Sequence, residues 1–189
     1  TTDSMDIVNN KLIPALDKVG EDFEKGRIFL PQLIQSANTA QACFDVIKNK
    51  LTKENNSPVS KGKIILATVK GDIHDIGKNI VKVLLDNYGY TVVDLGKDVD
   101  PQLVVDTAIE QDIKMIGLSA LMTTTLKSME DTISLVKNAK ELQNPDGSCK
   151  CKIVVGGAVL TEDYSRKIGA DYYCKDAKEA VDTAKKVLG

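Results

Sequence analysis

The sequence predicts an α/β protein, a doubly wound five-stranded parallel sheet with a small helical segment in front of it. Three observations carry this. Short apolar runs recur from Lys63 onward, each is followed by an amphipathic stretch of helical period, and the residues before the first run carry helical periodicity alone. Parallel strands need right-handed crossovers over the sheet faces, and alternating strands and helices supply them.

The front segment repeats apolar residues at helical spacing: Ile7, Val8, Leu12, Ile13, Leu16, Val19 and Phe23, then Leu30, Leu33, Ile34, Ala37, Ala40, Phe44, Ile47 and Leu51. Gly26 separates two helices. Pro31 suits the first turn of the second, whereas Pro14 should kink or restart the first. Two helices cannot cover both of their own apolar faces, so this segment must pack on the rest of the chain or on helices upstream. The polar stretch Thr52 to Gly62 carries Pro58 and Gly62 and forms a linker. The expected division is therefore 1–52 helical, 53–62 linker and 63–189 α/β.

In the α/β part, strands are expected at Lys63 to Val69, Thr91 to Leu95, Lys114 to Ser119, Lys152 to Val155 and Asp171 to Tyr173. Helices are expected over 76–88, 101–111, 124–142, 161–168 and 176–188. In such a flavodoxin-like sheet, a ligand binds outside the carboxyl ends of the strands.

Composition narrows the setting. With 42% hydrophobic and 28% charged residues, the chain has the balance of a water-soluble globular protein and no membrane span. A net charge of −2 without a basic stripe argues against a nucleic-acid partner. The start, Thr1 to Met5, lacks a basic, apolar signal region and suggests excision from a longer polypeptide. Cys43, Cys149, Cys151 and Cys174 form no disulfide framework for this length, so the reducing cytoplasm is the expected compartment. Cys149-Lys150-Cys151 could be half of a soft metal site, but no second Cys/His pair completes a tetrahedral set, and ordinary thiols beside a variable loop are the simpler reading.

The most informative run is Gly71-Asp72-Ile73-His74-Asp75-Ile76-Gly77, which holds the only histidine of the 189 residues. It lies on a strand-to-helix turn at the expected ligand edge. A neutral imidazole is a good metal ligand, and a carboxylate two residues earlier can accept its other N–H and select the nitrogen that faces the metal. Taken alone the pattern is short, and a hydrogen-bonded loop histidine fits it as well.

Two further loops share that edge. Ser119-Ala120-Leu121-Met122-Thr123-Thr124-Thr125 follows the third strand; its hydroxyls could serve a ligand, or Thr123 or Thr124 could cap the next helix. Gly156-Gly157 follows the fourth strand and is either a turn or a bare backbone for a bulky ligand.

Taken together, Asp72-x-His74-x-x-Gly77, Ser119-x-Leu121 and Gly156-Gly157 resemble the signature of the cobalamin-binding module of methionine synthase and corrinoid methyl-carrier proteins. The segment Gly26 to Ile34 resembles the helical cap over the corrin's methyl face, here about the second half of a four-helix bundle. The gap from Leu121 to Gly156 is longer than the family's, with the turn-rich stretch 143–150 expected as a surface loop.

The resemblance implies cobalamin, as methylcobalamin, with cobalt held through His74. Asp72 would bond the imidazole and Thr125 would bond Asp72, giving a His74–Asp72–Thr125 relay. Gly71, Ile73 and Asp75 would flank the ligand, and Gly77 would let the following helix start close to the corrin. Ser119, Leu121, Thr123, Gly156, Gly157 and Ala177 would line a tunnel for the displaced nucleotide tail. Phe29 would shield the methyl group, or else fill the core between cap helices.

The activity implied is methyl transfer through cob(I)alamin and methylcob(III)alamin, with the module incomplete as a catalyst alone. The closest resemblance, in Val69 to Val81 and Val155 to Thr161, is to methionine synthase. That implies methionine biosynthesis, with methyltetrahydrofolate and homocysteine domains and a reductive activase as partners. The alternative is a free-standing corrinoid protein of a methanol, methylamine or aryl-ether methyltransferase. An adenosylcobalamin isomerase, a cobalamin sensor and a receiver without corrin are further readings, disfavoured respectively by the cap, by the lack of a basic recognition helix and by the placement of Asp94.

Overall fold

The computed structural model describes residues 7–53 and 60–189; segment 1–6 and most of the expected linker, 54–59, lie outside the described residues. Strands β1 (Lys63–Val69), β2 (Thr91–Val99), β3 (Met115–Ser119), β4 (Lys152–Gly156) and β5 (Tyr172–Tyr173) pair in parallel in the order β2-β1-β3-β4-β5. The order reverses between β1 and β3, and a crevice opens there at the strand ends.

Seven α-helices are described: α1 (Ile13–Glu24), α2 (Leu30–Lys53), α3 (Ile76–Asn87), α4 (Pro101–Glu110), α5 (Leu126–Asn138), α6 (Glu162–Lys167) and α7 (Ala177–Leu188). A π-turn over Val8–Leu12 precedes α1, and Pro14 sits in the first turn of α1, where its missing N–H costs nothing. Asp100, Thr161 and Asp176 cap α4, α6 and α7 by accepting N–H bonds from Gln102, Tyr164 and Glu179.

Two expected boundaries differ. β2 continues past Leu95 to Val99, with register shifts against β1 and positive φ at Gly96 and Asp98. The polar residues of this bulged edge hide it from a search for apolar alternation. The stretch 124–142 is not one helix: a 3-10 turn (Thr123–Thr125) leads into α5, extended Ala139 ends it, and a second 3-10 turn covers Lys140–Leu142.

The sheet is buried on both faces. Ile65, Ala67, Val69, Ile116, Leu118, Ile153 and Val155 meet Val104, Ala108, Met129, Ile133 and Val136 of α4 and α5. On the other face Ile64, Leu66, Met115 and Val154 meet Leu84, Leu85, Tyr88, Val181 and Ala184 of α3 and α7. The near-continuous burial of β1, with only Lys63 exposed, is what a central parallel strand requires.

The front helices join this second layer. Leu16 of α1 and Leu33, Ala37 and Ala40 of α2 are buried in the cluster formed by α3 and α7, so the segment packs on the rest of the chain. A polar clamp adds direction to the contact. The Tyr88 hydroxyl donates to Asp17 Oδ1 at 2.8 Å, Lys185 Nζ reaches the same oxygen at 2.8 Å, and the ammonium lies 4.5 Å from the centre of the Tyr88 ring.

Candidate functional site

β1 delivers the chain to the crevice, and the turn after it is fixed by backbone bonds before any side chain acts. The Asp72 N–H donates to the Val69 carbonyl, and the Asp98 N–H donates to the Asp72 carbonyl. Gly71, at φ +85°, donates its N–H to Asp98 Oδ1 at 2.7 Å. The bulged end of β2 thus holds the loop from one side. Asp98 sits at φ +54°, a region Asp tolerates better than most residues.

Asp72 has no solvent exposure and accepts bonds from two loops. Its Oδ1 receives the His74 N–H at 3.0 Å and lies 2.8 Å from His74 Nδ1. Its Oδ2 receives the N–H groups of Leu121 at 2.7 Å and Met122 at 3.2 Å, with the Thr125 hydroxyl at 3.0 Å. Burial works to raise the carboxyl's pKa, but the bonds from His74, Leu121 and Met122 outweigh it and hold the group well below the usual carboxylate range. A carboxylate has no proton to offer, so Nδ1 carries the shared one. In the neutral imidazole the lone pair is then on Nε2. The ring is about half exposed, its side chain 45% accessible.

The Thr125 hydroxyl lies 2.8 Å from the Met122 carbonyl as well as 3.0 Å from Asp72, and its single proton serves one acceptor at a time. Thr123 and Thr124 do not cap α5 as expected. They lie in the 3-10 turn, and Thr125 occupies the cap position with its hydroxyl spent on Asp72 and Met122 instead of the helix. That carboxylate is the stronger acceptor, and it redirects the loop.

Around His74 the surface is apolar. Ile73 and Leu121 are exposed, and Ile76 is 75% exposed although it opens α3. Gly77 follows, and an added Cβ there would meet nothing within 4 Å. Glycine in a first helical turn weakens the helix, and no close contact within the chain asks for it, so the open space beside it suits a flat ligand lying against the turn. Asp75 stands at the N-cap of α3 without a side-chain cap bond. Lys78, buried, holds this turn to β2 through Asp94 Oδ1 at 2.6 Å and Asn79 Oδ1 at 2.8 Å. Burial opposes ionisation of Asp94, but the Lys78 bond and the Gly96 N–H bring its pKa below the usual value.

The other expected residues divide into groups. Ser119 ends β3, between Thr68 of β1 and Gly156 of β4 in the sheet register, and its hydroxyl lies 3.0 Å from that of Thr68. Gly157 has a structural reason of its own: at φ +137°, a Cβ would fall 1.9 Å from the Ala120 carbonyl oxygen. Leu121 contributes its backbone N–H to Asp72, while its side chain and Thr123 are exposed at the rim. Ala177, half-buried, packs beside Leu16, Val19, Phe23 and Leu33 of the front helices. Phe29 is 69% exposed in the loop before α2, so it does not fill the core between those helices.

Thr68, Lys78, Asp94 and Asp98 are supporting residues that sequence reasoning missed. The signal available was slight: a threonine inside an apolar strand and a lysine on a half-apolar helix. Cys151 is buried and donates its thiol to the Ile113 carbonyl; burial pushes its pKa up to about 12. The stretch 143–150 turns back through a bridge between Gln143 and Cys149 at the start of β4, the sheet end opposite His74. Among the described residues, no group of three or more His, Cys, Asp or Glu side chains could hold a metal ion.

One imidazole cannot satisfy a bare transition metal, which takes four or more donors; it can complete the sphere of a metal already held in a planar macrocycle. A parallel sheet that offers a single oriented imidazole at its switch point, between exposed aliphatic side chains and a bare helical glycine, defines a corrinoid-binding module. The chain belongs to the B12 binding domain family, whose models match residues 2–48 and 62–185.

Relatives agree along nearly the whole length. The chain is 40% identical over 186 residues to dimethylamine corrinoid protein 1 of Methanosarcina acetivorans, spanning 98% of this chain and 84% of that protein. A solved cobalamin-binding protein from Desulfitobacterium hafniense matches with a TM-score of 0.82 at 32% identity, over 98% of this chain and 83% of its own. The methanol:cobalamin methyltransferase complex of Methanosarcina barkeri matches with a TM-score of 0.76 at 30% identity, over 98% of this chain and 68% of that one.

Proposed function

We propose that the chain is the corrinoid protein of a methyltransferase system that demethylates a methylamine. It would hold cobalamin and present it in turn to a donor methyltransferase and an acceptor methyltransferase. When bound, the corrin cobalt supplies a centre that accepts a methyl group and gives it up again. The observation that carries the reading is the His74 pair: Nδ1 spent on a fully buried carboxylate, Nε2 left to the surface, and no group of three or more His, Cys, Asp or Glu side chains that could hold a metal ion among the described residues.

In this reading His74 Nε2 would hold the cobalt and Asp72 would keep the ring from turning. Thr125 supports Asp72 from its other oxygen. Ile73, Ile76 and Leu121 offer the corrin an apolar bed, and Gly77 lets it approach α3. Ser119, Gly156 and Gly157 would line the nucleotide tail, and Phe29 would shield the methyl group. The front helices with the α/β part would form one cap-and-platform unit.

The methylamine donor rests on the dimethylamine corrinoid protein that matches 98% of this chain and 84% of its own length, which favours the free-standing alternative over the methionine synthase reading. The methyltetrahydrofolate and homocysteine partners and the role in methionine biosynthesis have no support in that relative. A methyltransferase subunit as partner is in keeping with the methanol complex. No helix among the described residues is long and apolar enough to cross a membrane.

The test is a visible-absorption titration of the purified chain with hydroxocobalamin, alongside His74→Ala. A stoichiometric complex with histidine-ligated, base-off cobalt in the parent alone is expected. The reduced complex is then offered mono-, di- and trimethylamine with their methyltransferases, or methyltetrahydrofolate with its own. Methylation from an amine is the expected result; methylation only from methyltetrahydrofolate would overturn the donor assignment, and failure to bind cobalamin would overturn the carrier itself.

A further inference from the structure

His74 sits in a stretch, Asp72 to Asp75, that belongs to no helix or strand, so its position depends on bonds that reach it from elsewhere. The Asp72 side chain ties this stretch to the loop after β3. On the other side the tie is Asp98 of β2, a residue with no part in the proposed ligand contacts. Asp98 grips two successive residues at once: its carboxylate accepts the Gly71 N–H at 2.7 Å, and its own N–H donates to the Asp72 carbonyl at 2.9 Å. Its carboxylate hydrogen-bonds neither the imidazole nor Asp72, so any action on His74 runs through the backbone.

Two features of this residue make sense only if the grip matters. Its φ of +54° is one of two positive values outside glycine among the described residues, in a region where glycine is the default. Glycine would serve the backbone there with less strain, but it has no oxygen to offer Gly71. β2 also arrives at this point through two irregularities. Leu66 pairs with Asp94, Ala67 with Gly96 and Val69 with Val99, so Leu95 is extra and the two residues Lys97 and Asp98 oppose Thr68 alone. Bulges re-aim side chains beside functional sites, and these bring an edge-strand carboxylate to the histidine loop.

The geometry points to Asp98 as a positioning residue for the cobalt ligand: by fixing the backbone of Gly71 and Asp72, it holds the His74 ring ready before any cofactor arrives. This rests on the corrinoid reading and deepens it. Loss of the carboxylate costs the fold little, because Gly71 and Asp98 are both exposed and water can take the Gly71 N–H. It costs binding more. A loop left loose must be ordered when the metal takes the ring, and that ordering is subtracted from the affinity.

The experiment titrates hydroxocobalamin into the parent, Asp98→Gly, Asp98→Asn, His74→Ala and the double variant Asp98→Gly/His74→Ala. Asp98→Gly keeps the left-handed backbone and removes the acceptor; it should weaken binding about threefold to tenfold, the size of one hydrogen bond. Asp98→Asn keeps an oxygen for Gly71 and tolerates the same φ, so it should bind as the parent does. Without His74, Asp98→Gly should cost nothing further, because no ring is left to position. Unchanged affinity in Asp98→Gly, an equal loss in Asp98→Asn, or the full loss repeated in the His74→Ala background would overturn the proposal. The ring nitrogens of the single histidine give a second reading by NMR with no cofactor present. The proton should stay on Nδ1 in the parent, and both tautomers should appear in Asp98→Gly; one tautomer in both proteins would overturn the positioning role. Should His74→Ala bind too weakly to titrate, the tautomers decide. A parent with the expected ring signals that bound no cobalamin would instead refute the carrier reading, and the cobalt-ligand role of Asp98 with it.

Discussion

At the scale of single residues, Asp72 carries more of the site than His74 does. Five donors converge on its two oxygens, from its own loop and from the loop after β3. In Asp72→Asn an amide NH2 must face some of those donors, leaving buried groups unpaired. The variant should lose about 2–3 kcal/mol of stability at neutral pH, measured by urea unfolding. The pH dependence has a definite sign. The folded-state pKa of Asp72 is depressed, so its contribution is complete above the unfolded carboxylate value of about 3.9 and is lost as pH falls through the folded value. The stability gap between parent and Asp72→Asn should therefore hold from neutral pH to about pH 5 and narrow progressively below about pH 4. A gap that stayed constant down to pH 2.5 would contradict the assignment of a buried, hydrogen-bonded carboxylate.

At the scale of elements, the first turn of α3 and the crossing of two loops beside β4 show how glycines divide. Gly77→Ala meets empty space and improves helix propensity, so the cofactor-free protein should gain up to about 1 kcal/mol in thermal or urea unfolding. The same methyl group stands where the corrin is proposed to lie, so cobalamin affinity should fall in the absorption titration. A variant that gained stability and bound cobalamin as tightly as the parent would remove Gly77 from the site. Gly157→Ala behaves oppositely. Its Cβ would enter the Ala120 backbone at a φ of +137°, and the cost should be on the order of 3 kcal/mol or more, visible without any cofactor. Substitutions at Gly157 thus report on folding first and cannot by themselves mark a tail tunnel.

These elements also show what the sequence made legible. The five parallel strands and their crossover helices followed from alternating apolar runs and amphipathic stretches, and the pairing of Asp72 with His74 from two-residue spacing beside a strand end. The bond of Thr125 to Asp72 was legible only through the family resemblance, because locally a run of three threonines looks like a helix cap until a buried carboxylate arrives from fifty residues away. The far half of β2 was hidden because a bulged edge strand needs no apolar alternation. Thr68 and Ser119 become partners only through the parallel register of β1 and β3, which no local pattern contains.

At the scale of the whole molecule, the front helices are held by an apolar layer and by the clamp of Asp17, Tyr88 and Lys185. Asp17 is held below the usual carboxylate range, since the bonds from Lys185 and Tyr88 overcome the opposing effect of burial. Asp17→Ala leaves the buried Tyr88 hydroxyl without its acceptor and should loosen α1 by about 1–2 kcal/mol. Hydrogen exchange should quicken in α1 while β1 and β3 keep the parent's protection. Equal acceleration in the sheet would mean that the clamp supports the global fold and not the docking of the helices.

The bonds at Asp72 have one more consequence. Both of its oxygens are satisfied by groups of the chain, so the loop that presents the imidazole keeps its shape with no cobalt in place. The cofactor-free protein is then a finished socket, and on the proposed reading the exchange of one corrinoid for another would require no refolding. On the proposed ligation, exchange would be governed by how readily the incoming cofactor gives up its own base to a histidine that is already waiting.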